Sequence, residues 1–279
     1  MISAADIAAA AREAARRALA EDLAEDGDLT GRAFAGDGRG HVVARVAGVL
    51  SGRAPFEVAA ELVDERLTVE FARADGEVFA AGEAIADVSG PLAAILAVER
   101  TGLNFLARLS GIATLTARYV AETAGTKARI AATRKTSPGL RVLEKAAVVH
   151  GGGVPHRFGL FDGVMIKDNH IRAAGGVAAA VERVRATLPR SHALEVETES
   201  IDEVRTALAA GAEVIMLDNM DLAAVRTAVG IIGAAAVVEV SGGVTLEAVR
   251  PLAEAGVDII SVGALTTAAP WIDLSFELE

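Results

Sequence analysis

The strongest constraint on how this chain folds is a repeat in its last third. Four apolar runs, ALEVE, EVIMLD, VVEVSG and IISVG, carry polar residues at corresponding places: Glu197, Asp218, Glu239 and Ser261. Subtracting those numbers gives spacings of 21, 21 and 22. The phrases AGAEVIMLD (210–218) and AGVDIISVG (255–263) are close copies, and two upstream runs, RIAATRK and GVMIKD, have the same form. A strand followed by a helix, repeated every twenty or so residues, builds a parallel sheet. Between the runs, Ser200 with Glu203 forms a capping box, Asp221 and Thr245 are N-caps, and Gly211 and Gly256 stand where helices end. Runs that are apolar throughout predict strands buried on both faces. With no dinucleotide fingerprint and a polar terminus on each strand, a closed barrel is expected rather than an open sheet. Active groups then gather at the strands' C-terminal ends, which puts Lys135, Lys167, Glu197, Asp218, Ser241 and Gly263 around one mouth.

The repeat begins inside a second unusual stretch, Thr133 to Arg172. It holds seven Arg or Lys against three acids, a local +4, whereas the whole chain carries −11. Three of the chain's four lysines lie there, with His150, His156, His170 and a Gly-Gly-Gly run. Arg grips carboxylate and phosphate bidentately, Lys adds a compact charge, and glycine lets backbone N–H groups come close. The stretch therefore reads as half of a site for a multiply anionic small molecule. HGGGVPHR looks like a ligand-contacting loop, because three glycines in a row have no packing role, and His156 and Arg157 follow them directly. Arg141, Lys145, His150 and Arg172 could equally be solvated. The spacing of the three histidines fits no common zinc pattern.

The carboxylates Glu197 and Asp218 allow two readings. They could pair with Lys135 or Lys167 for structural reasons, or hold Mg²⁺ that arrives on substrate phosphates. The late glycines in SGGV (241–244) and VGALTT (262–267) could make tight turns or cradle a phosphate. No nucleophile stands beside a base, so the expected catalysis works by positioning and electrostatics.

Residues 41–90 alternate in short segments punctuated by Asp75-Gly76, Gly82 and Gly90, with the helix-like PFEVAAELVDER between them. They predict a small α+β layer with tight antiparallel turns. An amphipathic helix precedes them, with a loop from Asp22 to Arg39. From Pro91, two helical segments follow, closed by Gly125, with Arg100 and Arg108 on a polar edge. With 27 Lys+Arg against 38 Asp+Glu no broad basic face can form, so nucleic acid is not an expected partner. Cysteine is absent, which excludes disulfides and thiolate chemistry. No 18-residue apolar run and no signal-peptide pattern occur, so a soluble, cytoplasmic protein without a membrane partner is expected.

Several motifs taken together resemble the quinolinate phosphoribosyltransferase family. They are ERTGLNFLARLSGIAT (99–114), TRKTSPGLRVLEKAAV (133–148), GGGVPHRFGLFDGVMIKDNH (151–170), LEVET, IMLDN, VSGGV and SVGALT, with EDLAEDGDLT and GVLSG upstream. The chain departs from the family pattern at Ala132 and Pro155, where Asp and Asn are usual. The resemblance implies an α/β protein: an N-terminal open sandwich (1–103), an incomplete TIM-like barrel (104–268), and a tail (269–279) returning to the first domain. It implies transfer of phosphoribosyl from phosphoribosyl pyrophosphate to quinolinate with loss of CO₂, using Mg²⁺, in NAD biosynthesis. Matching positions imply that Arg134, Lys135, His156, Arg157 and Lys167 grip the dicarboxylate and pyrophosphate. Glu197 and Asp218 hold ribose hydroxyls and Mg²⁺, and Ser241, Gly242, Gly243 and Gly263 cradle the 5′-phosphate. Arg100 enters the neighbouring subunit's site, so a homodimer is implied. Competing expectations are a molybdate-transport-associated paralogue with another acceptor, a Schiff-base barrel lyase using Lys135 or Lys167, and a lipoyl-like carrier in 41–90. The carrier lacks an attachment lysine, since the first lysine is Lys127. Lys135→Ala should lower kcat/KM by orders of magnitude with an unchanged circular dichroism spectrum, and near-normal turnover would refute the site assignment.

Overall fold

The computed structural model describes residues 2–188 and 192–279, which form two compact units. One comprises Met1–Ala117, Thr136–Gly152 and Leu265–Glu279; the other comprises Arg118–Lys135 and Gly153–Ala264.

The first unit opens with α1 (Ala4–Leu23). Ser3 starts it with a reciprocal capping box: its Oγ accepts from the Asp6 N–H, and the Asp6 carboxylate accepts from the Ser3 N–H. The helix extends two residues, Asp22 and Leu23, into the segment expected to be a loop. Its small buried face, Ala15 and Leu19, packs with Ala59 and Ala60 of α2 (Arg53–Val63) and Val98 of α3 (Leu92–Ala121). Strands β1 (Asp37–Ala44), β2 (Gly48–Val49), β3 (Thr68–Phe71), β4 (Val78–Phe79) and β5 (Ala84–Pro91) complete residues 37–91. β1 alternates, with Gly40, Val42 and Ala44 turned inward, as its sequence predicts. The expected simple hairpins do not form. β3 pairs with β5 instead of its sequence neighbour β4, and β4 pairs with β2 in a separate small sheet. Gly76 and Gly82 do take positive φ in turns, but Gly90 lies inside β5. The two helices expected after Pro91 are one, the 30-residue α3; no breaker interrupts the apolar spacing, and Pro91 ends β5 instead of opening the helix. α4 (Arg141–His150) belongs to the same unit.

The second unit carries the repeat. Its strands are β6 (Arg129–Ala131), β7 (Val164–Ile166), β8 (Leu194–Thr198), β9 (Val214–Asp218), β10 (Val237–Ser241) and β11 (Ile259–Ser261). All pair in parallel in the order β6-β11-β10-β9-β8-β7, so the first strand neighbours the last. Closure is incomplete. Among the described residues β6 does not pair with β7; a bridge to Val154 meets its free edge, the Val154 N–H donating to Ile130 and the Ala132 N–H to Val154. This extended Val154 also suits Pro155, which biases its predecessor away from helix and needs no donor of its own. Helices α5 (Asp168–Ala174), α6 (Val177–Thr187), α7 (Ile201–Ala209), α8 (Leu222–Ile232) and α9 (Leu246–Glu254) link the strands. Asp221 caps α8 through the Ala224 N–H. Ser200 makes half its expected box: it accepts from the Glu203 N–H, but the Glu203 carboxylate takes the N–H of Glu199. Thr245 has N-cap geometry without a side-chain hydrogen bond to the backbone, and Gly211 and Gly256 take positive φ just beyond their helices.

Strand β12 (Leu274–Leu278) adds to the first unit's sheet, antiparallel to β1, with Gly40 opposite Leu278 and Ala44 opposite Leu274. The preceding turn lies on α3, where a Cβ at Gly111 would stand 2.1 Å from the Pro270 carbonyl oxygen. Such an approach admits only glycine. Gly111→Ala should therefore lower stability by about 1–3 kcal/mol through overpacking. Calorimetry would show this as a lower first unfolding transition, and an unchanged one would refute the packing argument.

Candidate active site

Side chains alternate along a strand, so register determines which residues share a face. Met165 is opposite Glu195, Glu197 opposite Met216, Glu239 opposite both Met216 and Ile259, Ser241 opposite Asp218, and Ser261 opposite Ala131. Stepping by twos from these pairs, Lys167, Glu195, Glu197, Asp218, Glu239, Ser241, Ser261 and Gly263 fall on one face of the six-stranded sheet. Its C-terminal rim carries Lys167, Glu197, Asp218, Ser241 and Gly263, as the repeat predicts.

At that rim Lys167 forms an ion pair with Glu197. Burial and the adjacent Glu197 raise the pKa of Asp218, against the fields of Lys167 and Lys135. Of the two carboxylate readings, the lysine pairing is present for Glu197; its field also falls on Asp218, and two mutually repelling acids are what a divalent cation would relieve. Gly263 leaves room for Lys135, whose Cδ would lie 3.2 Å from a Cβ there. Gly242, at φ +92, would put a Cβ 2.3 Å from the Asn219 side-chain oxygen, so it serves a tight turn. Gly243, at φ +55, faces open space. Burial lowers the pKa of Arg157, and Arg134 lowers it further, so two guanidiniums lie within range of each other. Arg157 donates to the Gly163 carbonyl at 3.1 Å.

Beneath the rim lies a group that apolar patterning missed. Strands β8 and β10 were expected to be apolar throughout, yet Glu195 and Glu239 are buried in them, at 8% and 1% exposure. They meet His156, whose Nε2 lies 3.2 Å from Glu239 Oε2 and 3.8 Å from Glu195 Oε2. Ser261 donates to Glu239 Oε1 at 2.5 Å. Among the described residues, buried Glu195 Oε1 has no hydrogen-bond partner. Burial and the nearby Glu239 push the Glu195 carboxyl up to about 8. The ligand atoms of His156, Glu195 and Glu239 lie within 4.8 Å of one another, a grouping that histidine spacing alone could not reveal. Glu239 already carried the 21-residue period, which was the signal available for it.

Other residues of the basic stretch lie in the first unit. Gly151 does pack: a Cβ there would meet the Ala113 carbonyl at 2.4 Å, and Gly152 turns at φ +88, so the glycine run ends α4 against α3. Lys145 is fully buried instead of solvated, and His150 accepts a hydrogen bond from or donates one to Ser51 at 2.9 Å while burial lowers its pKa. Arg172 is exposed beside Asp168. Arg108 is not on a polar edge; it forms an ion pair with the buried Glu144. Arg100, on α3, is 66% exposed, with Glu99 3.8 Å away. It lines a cavity of about 280 Å³ with Asp22, Arg108, Ser137 and Trp271.

The Glu195 shift has a sign that can be tested. Folding raises this carboxyl from 4.5 to about 8, so between those values the native state holds a proton that the unfolded state has released. Stability from this group is present at pH 4.5 and is lost as pH rises to 8. Relative to Glu195→Gln, the unaltered protein should lose stability from pH 5 to 8 in urea titrations. A constant difference across that window would refute the shift.

Residues 28–110 match the family model for the quinolinate phosphoribosyl transferase N-terminal domain, and 112–277 match that for its C-terminal domain. A probable carboxylating nicotinate-nucleotide pyrophosphorylase of Synechocystis is 42% identical over 93% of this chain and 90% of its own length. Its Bacillus subtilis counterpart is 42% identical over 90% and 88%. The solved nicotinate-nucleotide pyrophosphorylase of Francisella tularensis superposes with a TM-score of 0.93 at 37% identity, covering 98% of this chain and 97% of that one. The chain belongs to the quinolinate phosphoribosyltransferase family.

Proposed function

We propose that this protein transfers phosphoribosyl from phosphoribosyl pyrophosphate to quinolinate and releases CO₂, forming nicotinate mononucleotide and pyrophosphate for NAD biosynthesis. The carrying observation is the single face on which the cations Lys135 and Lys167, the acids Glu197 and Asp218, and the turn at Ser241, Gly242 and Gly243 converge. Family membership over nearly the whole chain supports the same reaction. The competing readings have less support. Lys167 sits in an ion pair, unlike the desolvated amine a Schiff base requires. The family's name points to the quinolinate acceptor.

Arg134, Arg157, Lys135 and Lys167 form the anion-gripping side, while His156, expected to join them, has both ring nitrogens turned to the Arg157 N–H and Glu239 and holds the turn beside Arg157. The mutual repulsion of Arg134 and Arg157 is relieved when the quinolinate dicarboxylate binds. Glu197 and Asp218 accept from ribose hydroxyls, and they are the residues that would hold Mg²⁺, which fits two neighbouring acids with one pKa raised. Bound Mg²⁺ would neutralise diphosphate charge. Ser241, Gly242, Gly243 and Gly263 take the 5′-phosphate, with the open side of Gly243 leaving the backbone approachable. As pyrophosphate leaves, the oxocarbenium-like ribose is attacked by the pyridine nitrogen. The ring nitrogen then becomes cationic and stabilises the carbanion left on C2 as CO₂ departs, and a proton taken up from solvent at C2 completes nicotinate mononucleotide. Fixed cations hold both anions in line throughout. The exposed Arg100 is free to reach a second subunit, which supports a homodimer with shared sites. Purified protein should release pyrophosphate only when quinolinate and phosphoribosyl pyrophosphate are both present with Mg²⁺. Turnover of another acid with quinolinate inert would overturn the acceptor.

A further inference from the structure

We infer that Glu239, held by Ser261, is a positioning residue that locks the His156–Arg157 turn and thereby aims Arg157 at the anionic substrate. This rests on the proposed role of Arg157. His156 takes φ +52, a left-handed conformation that a bulky side chain adopts only when its surroundings impose it. Those surroundings engage both ring nitrogens. Nδ1 accepts from the Arg157 N–H at 2.8 Å, so the ring proton sits on Nε2 and points to Glu239 at 3.2 Å. Glu239 receives the Ser261 hydroxyl on its other oxygen at 2.5 Å, and both residues are buried. The relay runs from Ser261 through Glu239 and the imidazole to the Arg157 backbone.

This chain fixes one tautomer, one ring orientation and one backbone turn, and the residue emerging from the turn is the guanidinium within range of Arg134. Glu239 itself lies below the rim on β10, at the level of Met216 and Ile259, whereas the rim residue on that strand is Ser241. Its effect therefore passes through His156. The ring of His156 reads in the same way, with both nitrogens turned to the protein's own groups.

The test uses full-length Glu239→Ala and Glu239→Gln. Glutamine keeps an oxygen for the His156 N–H and an amide N–H for Ser261, so it should rescue. Long-range ¹H–¹⁵N spectra of the substrate-free protein should show His156 as the Nε2–H tautomer in the unaltered protein and in Glu239→Gln, and as a tautomer mixture in Glu239→Ala. Steady-state kinetics should show a rise in the KM for quinolinate of about tenfold or more in Glu239→Ala, equivalent to one lost charge-assisted contact. The KM for phosphoribosyl pyrophosphate should stay within about twofold, and Glu239→Gln should stay near the unaltered values. If Glu239→Ala does not fold, Ser261→Ala gives the same readings with a smaller KM rise. A retained tautomer with an unchanged quinolinate KM, in whichever variant folds, overturns the inference. Failure of quinolinate turnover in the unaltered protein would sink the proposed function instead, while the tautomer reading still decides the role of Glu239.

Discussion

The second unit depends on side-chain alternation along six parallel strands held in register. Glu197, Met216 and Glu239 are opposite one another in the ladder, as are Asp218 and Ser241, and Glu195 lies two residues before Glu197, so all share a face. A slip of one residue would turn every one of them to the opposite layer. There the carboxylates would meet apolar side chains, at the cost of unpaired buried charge. In the observed register Glu197 meets Lys167, and Glu239 meets His156 and Ser261. Polar groups placed in strands that are otherwise apolar thus penalise every register but one.

The same face organises the chemistry. Acids lie on successive strands, and the cations come from the loop after β6, the turn at His156 and Arg157, and the end of β7. Each sign steadies the other, yet like charges remain close: Arg134 near Arg157, and Glu197 near Asp218. In the proposed reaction a polyanion with its counter-cation would relieve this residual repulsion. The proposed reaction requires no activated nucleophile, because fixed charge and orientation would stabilise the ribosyl cation and the departing groups.

The first unit shows how short-range signals mislead when pairing is non-local. Asp75-Gly76 and Gly82 read as hairpin turns, but the strands they separate pair with partners elsewhere, since turn chemistry reports a reversal and not the strand it leads to. The glycine run read as a flexible ligand loop because side-chain lists cannot show that the Ala113 carbonyl occupies the volume of a Gly151 Cβ. Lys145 could equally have been solvated and is buried, and Arg108, expected on a polar edge, pairs with Glu144, which lies 36 residues away in sequence.

The parallel strands were legible in the sequence, because a period near 21 and apolar runs ending in polar residues are local properties that survive whatever the chain packs against. The rim residues Lys167, Glu197, Asp218, Ser241 and Gly263 were legible for the same reason, each being the terminus of its own run. Strand order, the unpaired edge between β6 and β7, and the meeting of His156 with Glu195 and Glu239 were decided only by the tertiary structure. Residues 156, 195 and 239 come from separate elements, and no spacing along the chain encodes which side chains a curved sheet will bring within hydrogen-bonding distance.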